Sequence, residues 1–198
     1  VSPSNSMAQS AGSSGNNIPE ILTISQEQQS DVDVRAIPAK ADTDEQFVNE
    51  VIARAQTLAN GDDLSKKLNL LNASINKLNT NFESKDYENL PIQRLETVVE
   101  HWKFYGKQLA NWRSKLQKLT LPISADAAEL SKRKKYWVNL RANNINTITP
   151  ALLTRIDGLI SEINKAETAI SAPLGKLLDL GQKGNVVVQK VEQGIDKS

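Results

Sequence analysis

Two long heptad seams, prolines placed between periodic segments and a near absence of chemistry-bearing side chains predict an all-α protein. The expected form is an elongated antiparallel helical bundle or coiled coil, with one long kinked C-terminal helix and a disordered N-terminal leader. The first seam steps three, then four, positions without a miss: Leu95, Val98, Trp102, Tyr105, Leu109, Trp112, Leu116, Leu119. The second runs Leu152, Ile156, Leu159, Ile163, Ala166, Ile170 and then Leu177, Leu180, Val187, Val191, departing from a seam residue only at Pro173, Gly184 and Gly194. Stripes this narrow do not hold a helix in water alone and require other helices to cover them.

Residues 1–43 are rich in Ser, Gly, Asn, Gln and Ala, with no periodicity beyond the short Ile18–Ile24 stretch. Such a composition buries too little apolar area to offset chain entropy, so this segment reads as the disordered leader. The helical bundle is expected over 44–198, as a helical pair over 44–82 and three long helices over 93–198. Phe47, Val48, Val51, Ile52, Ala55 and Leu58 form one helical face, with Gly61 as the C-terminal stop. Asp62 can cap the next helix, whose seam is Leu64, Leu68, Leu71, Ile75, Leu78 and Phe82. The polar stretch 83–89 and Pro91 then break the chain.

The first long helix spans about Gln93 to Leu119. Pro122 and Ser124 mark its boundary with the next, where Ser124 is a natural N-cap and Asp126 favours the positive helix end. This middle helix, roughly 125–146, is the least regular: Ala127, Leu130, Trp137 and Leu140 are apolar, but Lys134 takes one seam position. Thr149-Pro150 starts the last helix, with Thr149 as N-cap, Pro150 at N1 and Ile148 placed to staple onto Leu153. Pro173 lies inside a seam that continues on both sides, so it predicts a kink and a candidate hinge rather than an end. Gly181 and Gly184 weaken the helix beyond it.

At about 1.5 Å per residue the three long helices span roughly 40, 33 and 70 Å. Short connections make neighbours antiparallel, giving an up-down-up bundle in which the last helix overshoots its partners. Residues 173–198 then need other cover: the 44–82 pair, another subunit or sequence beyond Ser198. Core and interaction residues are expected at Trp102, Tyr105, Leu109, Trp112, Leu116, Trp137, Ile156 and Ile163, the tryptophans as anchors.

Cysteine is absent, which removes disulfides, thiolate nucleophiles and cysteine metal sites together. The longest apolar runs, such as Val186-Val187-Val188, fall far short of the roughly 20 residues a spanning helix needs. The start at Val1 and a seam still running at Val191 suggest a piece of a longer protein. The formal charge of +1 hides an uneven distribution. Residues 1–43 carry five acids against Arg35 and Lys40, whereas residues 101–141 carry ten Lys or Arg against Asp126 and Glu129. That excess is either an ordinary solvated face or an attraction to an anionic envelope surface such as lipid head groups.

Catalytic material is scarce. His101 is the only histidine and flanks Trp102, which leaves no triad or histidine metal site to build. Glu96 and Glu100 share a helical face without further ligands. Gly175-Lys176 lacks the remainder of a phosphate loop, and Gly181 and Gly184 follow no strand. Asn72-Ala73-Ser74 is a glycosylation triplet placed inside a helix. The run Lys132-Arg133-Lys134-Lys135 wraps around a helix without exposed stacking aromatics, which argues against nucleic acid. The chain is therefore expected to be non-enzymatic, with no cofactor, metal, small-molecule substrate or nucleic-acid partner.

An ordered set of segments carries a resemblance. Gln46-Phe47-Val48 opens a helix that ends near Ala53-Arg54-Ala55-Gln56; Leu109-Ala110-Asn111-Trp112-Arg113-Ser114-Lys115-Leu116 and Tyr136-Trp137 follow. Then come Pro150-Ala151-Leu152-Leu153-Thr154-Arg155-Ile156 and Leu177-Leu178-Asp179-Leu180-Gly181-Gln182-Lys183. Over roughly residues 46–197 the chain resembles the N-terminal periplasmic helical domain of large MscS-like (MscK-type) mechanosensitive ion channels. The resemblance implies an extracytoplasmic structural and sensory domain of an inner-membrane protein. Its partner would be a downstream membrane domain of the same polypeptide, through which the chain would form a homo-oligomer. The residues alone equally admit a free-standing coiled-coil adaptor that binds a partner helix.

Overall fold

The computed structural model describes residues 33–58, 61–82 and 87–198, and the expected leader lies outside the described residues as far as residue 32. Every regular element among the described residues is helical. A 3-10 turn, Val34–Ala36, leads into α1 (Ile37–Thr57), followed by α2 (Gly61–Asn81), α3 (Ile92–Asn143) and α4 (Pro150–Lys197).

The first helix begins earlier than its apolar pattern suggests. Pro38 occupies its first turn, where a missing N–H is harmless, and Ile37 and Ala41 are buried. The seam is Ile37, Ala41, Asp44, Val48, Val51, Ala55, a regular four-three alternation. A carboxylate at its third position hides it from an apolar count. Residues 33–43, expected in the leader, are thus mostly α1. The expected helical pair over 44–82 is present as α1 and α2, but Gly61 opens α2 instead of ending α1.

A second correction reshapes the bundle. Pro122 was expected to separate two helices, with Ser124 capping the second; instead α3 runs for 52 residues straight through both. An interior proline costs about 3 kcal/mol. Leu116, Ile123, Leu130 and Trp137, spaced by seven, are all buried across it, and the burial of each stabilises by about 1.5–3 kcal/mol. Packing therefore wins. The three long helices expected over 93–198 are two, α3 and α4, joined by the turn at 144–149.

With α3 about 78 Å long and α4 about 72 Å, the predicted overshoot of the last helix disappears. The two form an antiparallel hairpin in constant register: Arg141 bonds Asp157 near the turn, Leu116 touches the Gly181 position, and Arg113 bonds Asn185 farther out. The helices α1 and α2 lie end to end along it as a broken third strand. Arg54 pairs with Asp126 and Arg155 with Glu45, which places α1 beside the turn half. Lys190 bonds Asn72 and Asn76, and the Trp112 indole N–H donates to the Leu64 carbonyl at 2.8 Å, which places α2 beside the other half. Residues 173–198 are therefore covered within this chain, by α2 and the first half of α3.

Thr149 precedes α4 with extended backbone but makes no side-chain cap bond; Pro150 at N1 and the buried Ile148 supply the start. The core is a single file of side chains along the axis. Its largest members are the three tryptophans, all under 3 % exposed.

Candidate functional site

The expected core residues come together as one continuous stripe. Trp102, Leu109, Trp112, Leu116, Trp137, Ile156 and Ile163 are buried, while Tyr105 sits half-buried at the edge. Each indole N–H has an acceptor: the Tyr87 hydroxyl for Trp102 at 3.3 Å, the Leu64 carbonyl for Trp112, and the Asp44 carboxylate for Trp137 at 2.7 Å. Those bonds tie α3 to the segments that cover it.

Gly184 and Gly194, departures from the seam in sequence, are its most constrained positions. Both are buried on the core face of α4. A Cβ at Gly184 would stand 2.3 Å from the nearest ring atom of Trp112, and one at Gly194 2.4 Å from that of Trp102, both too close to be tolerated. The glycines are the holes into which the tryptophans fit. Sequence periodicity finds apolar knobs but not a missing side chain serving as a hole.

Asp44 is the one buried charged residue of the described core, 1 % exposed. It accepts from Trp137, from Lys40 Nζ at 3.0 Å and from Arg133. Arg133 also bonds Glu129 and lies 4.1 Å from the Phe47 ring centre; Lys40 lies 4.5 Å from that of Tyr136. Both oxygens of this carboxylate are engaged within the protein, Oδ2 by Lys40 and Trp137 and Oδ1 by Arg133. This cluster fixes the register of α1 on α3. Lys134, anomalous as a seam residue, is half-buried and pairs with Glu167 of α4 at 2.9 Å.

A further structural feature lies at mid-length. Pro122 in α3 and Pro173 in α4 stand at one level, since the hairpin register places Pro122 opposite the residues just after Pro173. The junction of α1 with α2, between Leu58 and Gly61, lies at the same level, because the Gly61 position approaches Leu177 at 3.5 Å. Two interior prolines and the α1–α2 junction therefore fall at one level, while α3 and α4 themselves run on through it. Each proline removes a hydrogen bond to the carbonyl four residues before it, Lys118 in α3 and Ala169 in α4.

A cleft of about 540 Å³ opens at this waist, lined by Ile52, Ala55, Leu58, Ala172, Pro173 and Leu177, with Asp62 and Lys176 also on its wall. A close-packed interior resists bending because side chains have nowhere to go. The cleft lies beside Pro173 and the α1–α2 junction, so side chains there have open space on one side. The sequence singles out Pro173; Pro122 and the α1–α2 junction become part of the same feature only when the hairpin register is known.

No group of three or more His, Asp or Glu is placed to hold a metal among the described residues, and no described helix is long and apolar enough to cross a membrane. His101 is exposed beside Trp102, and Glu96 and Glu100 are exposed on the outer surface. The Arg54 guanidinium is held further toward its charged form by the hydrogen bond to Asp126, and that of Arg141 by the bond to Asp157. Compared with known proteins, the chain matches no family model, no curated protein and no solved structure.

Proposed function

We propose that this chain is a non-catalytic, extracytoplasmic structural and sensory domain of a mechanosensitive channel. It would work by transmitting or limiting motion between the cell envelope and a membrane core supplied by the rest of the polypeptide. One observation carries the reading: in a bundle about 75 Å long, a proline in α3, a proline in α4 and the α1–α2 junction fall at one level, with a cleft beside Pro173 and the junction. Two rigid half-bundles joined at a waist suit a device that converts displacement at one end into an angle at the other. The resemblance of residues 46–197 to the MscK-type domain supplies the channel context.

Spin labels at Ser161 and Gln193, on exposed positions either side of Pro173 and about 48 Å apart along the helix, test the waist. The expected result is a broad distance distribution that narrows in the double variant Pro122→Ala, Pro173→Ala. The same double variant in the full-length protein should shift the tension at which the channel opens. An unchanged, narrow distribution in both forms would end the hinge reading.

A free-standing adaptor that recruits a partner helix is the second reading. It is favoured by a groove between α3 and α4 near Gly106, Ala110 and Ser114, walled on the other side by Val188 and Ile195. Sequencing the reading frame beyond Ser198 separates the two: apolar segments of about 20 residues support the channel, and an immediate stop supports the adaptor.

A further inference from the structure

The ten bases between residues 101 and 141 are not equivalent once the fold assigns their partners. In the distal part of α3 most are neutralised. Arg133 pairs with Asp44 and Glu129, Lys134 with Glu167, Arg141 with Asp157, and Lys132 reaches Glu129 at 4.0 Å. From His101 to Ala125, by contrast, there are five bases and no acid. Lys103 touches only the exposed Glu100, at 3.7 Å, and Arg113 bonds the neutral amide of Asn185. No acidic partner is found for Lys107, Lys115 or Lys118 among the described residues.

Apart from Arg113, which faces α4, these residues occupy the side of α3 turned away from its core. With Trp102, Leu109, Trp112 and Leu116 buried, a 100° step per residue puts Lys103, Lys107, Lys118 and Leu121 opposite the seam, with Phe104 and Lys115 on one flank. All are exposed. Phe104 and Leu121, at 54 % and 62 % exposure, are large apolar side chains at the two ends of the basic stripe, about 26 Å apart. Neither contributes to the core, so neither has a packing reason to be apolar.

We infer that this outer face of α3, from Lys103 to Leu121, docks on the anionic head groups of a lipid bilayer. The charge and the shape agree on this occupant. Lysines attract an anionic surface, each contributing about a fivefold increase in partitioning close to it. Two apolar side chains at the ends of this face, Leu121 opposite the seam and Phe104 on its flank, can enter the boundary between head groups and acyl chains while the lysines stay at the head groups. Single-stranded nucleic acid would instead require stacking aromatics between the bases, and the Phe104 ring is the only exposed aromatic of the stripe, packed edge-on against Tyr105 with centroids 5.6 Å apart. The inference is independent of the channel reading, since a bilayer-docking adaptor would present the same face.

The test is sedimentation of the full chain with vesicles of phosphatidylcholine alone or containing about one-third phosphatidylglycerol, at low and physiological salt. Binding is expected only to the anionic vesicles and should weaken with salt. Lys107→Gln, Lys115→Gln and Lys118→Gln together should lower partitioning about a hundredfold. Phe104→Ser with Leu121→Ser should lower it about tenfold or more, from the loss of two inserted apolar side chains. Lys132→Gln with Lys135→Gln, on the same helix beyond Pro122, should change it less than the same number of substitutions within the stripe. Circular dichroism checks that each variant keeps its helix content. Equal binding to neutral and anionic vesicles, or none to either, overturns the proposal. So does tighter binding to an oligonucleotide than to anionic vesicles at the same salt, or a Phe104→Ser, Leu121→Ser variant that binds undiminished.

Discussion

Glycine at 184 and 194 and glycine at 158 belong to the same helix but answer to opposite forces. At Gly158 nothing lies within 4 Å of an added Cβ, so Gly158→Ala should gain helix propensity and stabilise by about 0.5–1 kcal/mol. At Gly184 the same gain is opposed by a clash with the rigid Trp112 ring, and overpacking of this kind costs about 1–3 kcal/mol or more. Gly184→Ala should therefore destabilise, and urea unfolding of the two variants should shift in opposite directions. Trp112→Ala should cost about 3–5 kcal/mol, since the ring is buried and its N–H holds the Leu64 carbonyl. Asp44→Ala should cost about 3 kcal/mol, because it leaves the buried Trp137 N–H without its acceptor and removes the carboxylate that holds Lys40 and Arg133, leaving Arg133 only Glu129. A loss below about 1 kcal/mol in thermal or chemical melts would mean that water reaches this cluster. The raised Arg54 and Arg141 pKa values carry no comparable pH signature. Their contribution is complete below the ordinary arginine value and fades only above it, far from physiological pH.

The α3 helix shows how seam continuity outranks a single breaker. Pro122→Ala and Pro173→Ala each relieve an interior penalty of about 3 kcal/mol while loosening the unfolded chain by about 1 kcal/mol. Each should therefore raise stability by about 2 kcal/mol, and an unaltered unfolding midpoint would show that the proline is already accommodated. The α4 seam was legible because it continues visibly on both sides of Pro173. The α3 seam continues as regularly through Leu116, Ile123 and Leu130, but a proline followed by serine and aspartate imitates a boundary so well that local signals point the wrong way. Asp44 misleads similarly at the start of α1, where a buried carboxylate stands in for an apolar side chain. Helix type and the anchoring tryptophans were readable from periodicity, and the antiparallel pairing across residues 144–149 from the shortness of that connection, whereas the antiparallel pair expected either side of Pro122 is one helix. Partners were only partly so: the Glu129 contact of Arg133 is a local i,i+4 pair, but its pairing with Asp44 spans 89 positions, which no local pattern contains.

Three strands about 50 residues long, arranged side by side, make a rod. For residues 34–198 small-angle scattering should give a radius of gyration near 22 Å, the value for a rod of about 75 Å, against about 15 Å for a compact domain of that length. A value near the lower figure would mean that the two halves fold back on each other. The tryptophan–glycine pairs add a condition on how such a rod can deform. Trp102 and Trp112 are ten residues apart, and so are Gly194 and Gly184, so both rings find their holes in only one alignment of the hairpin. Sliding α4 by a single turn would bring Leu180 or Val187 beneath a ring that now occupies the space of a missing Cβ. The hairpin is thus keyed like a splined shaft. Axial slip between α3 and α4 is opposed by these pairs, so a pull on one strand would be carried to the far end instead of being lost as shear.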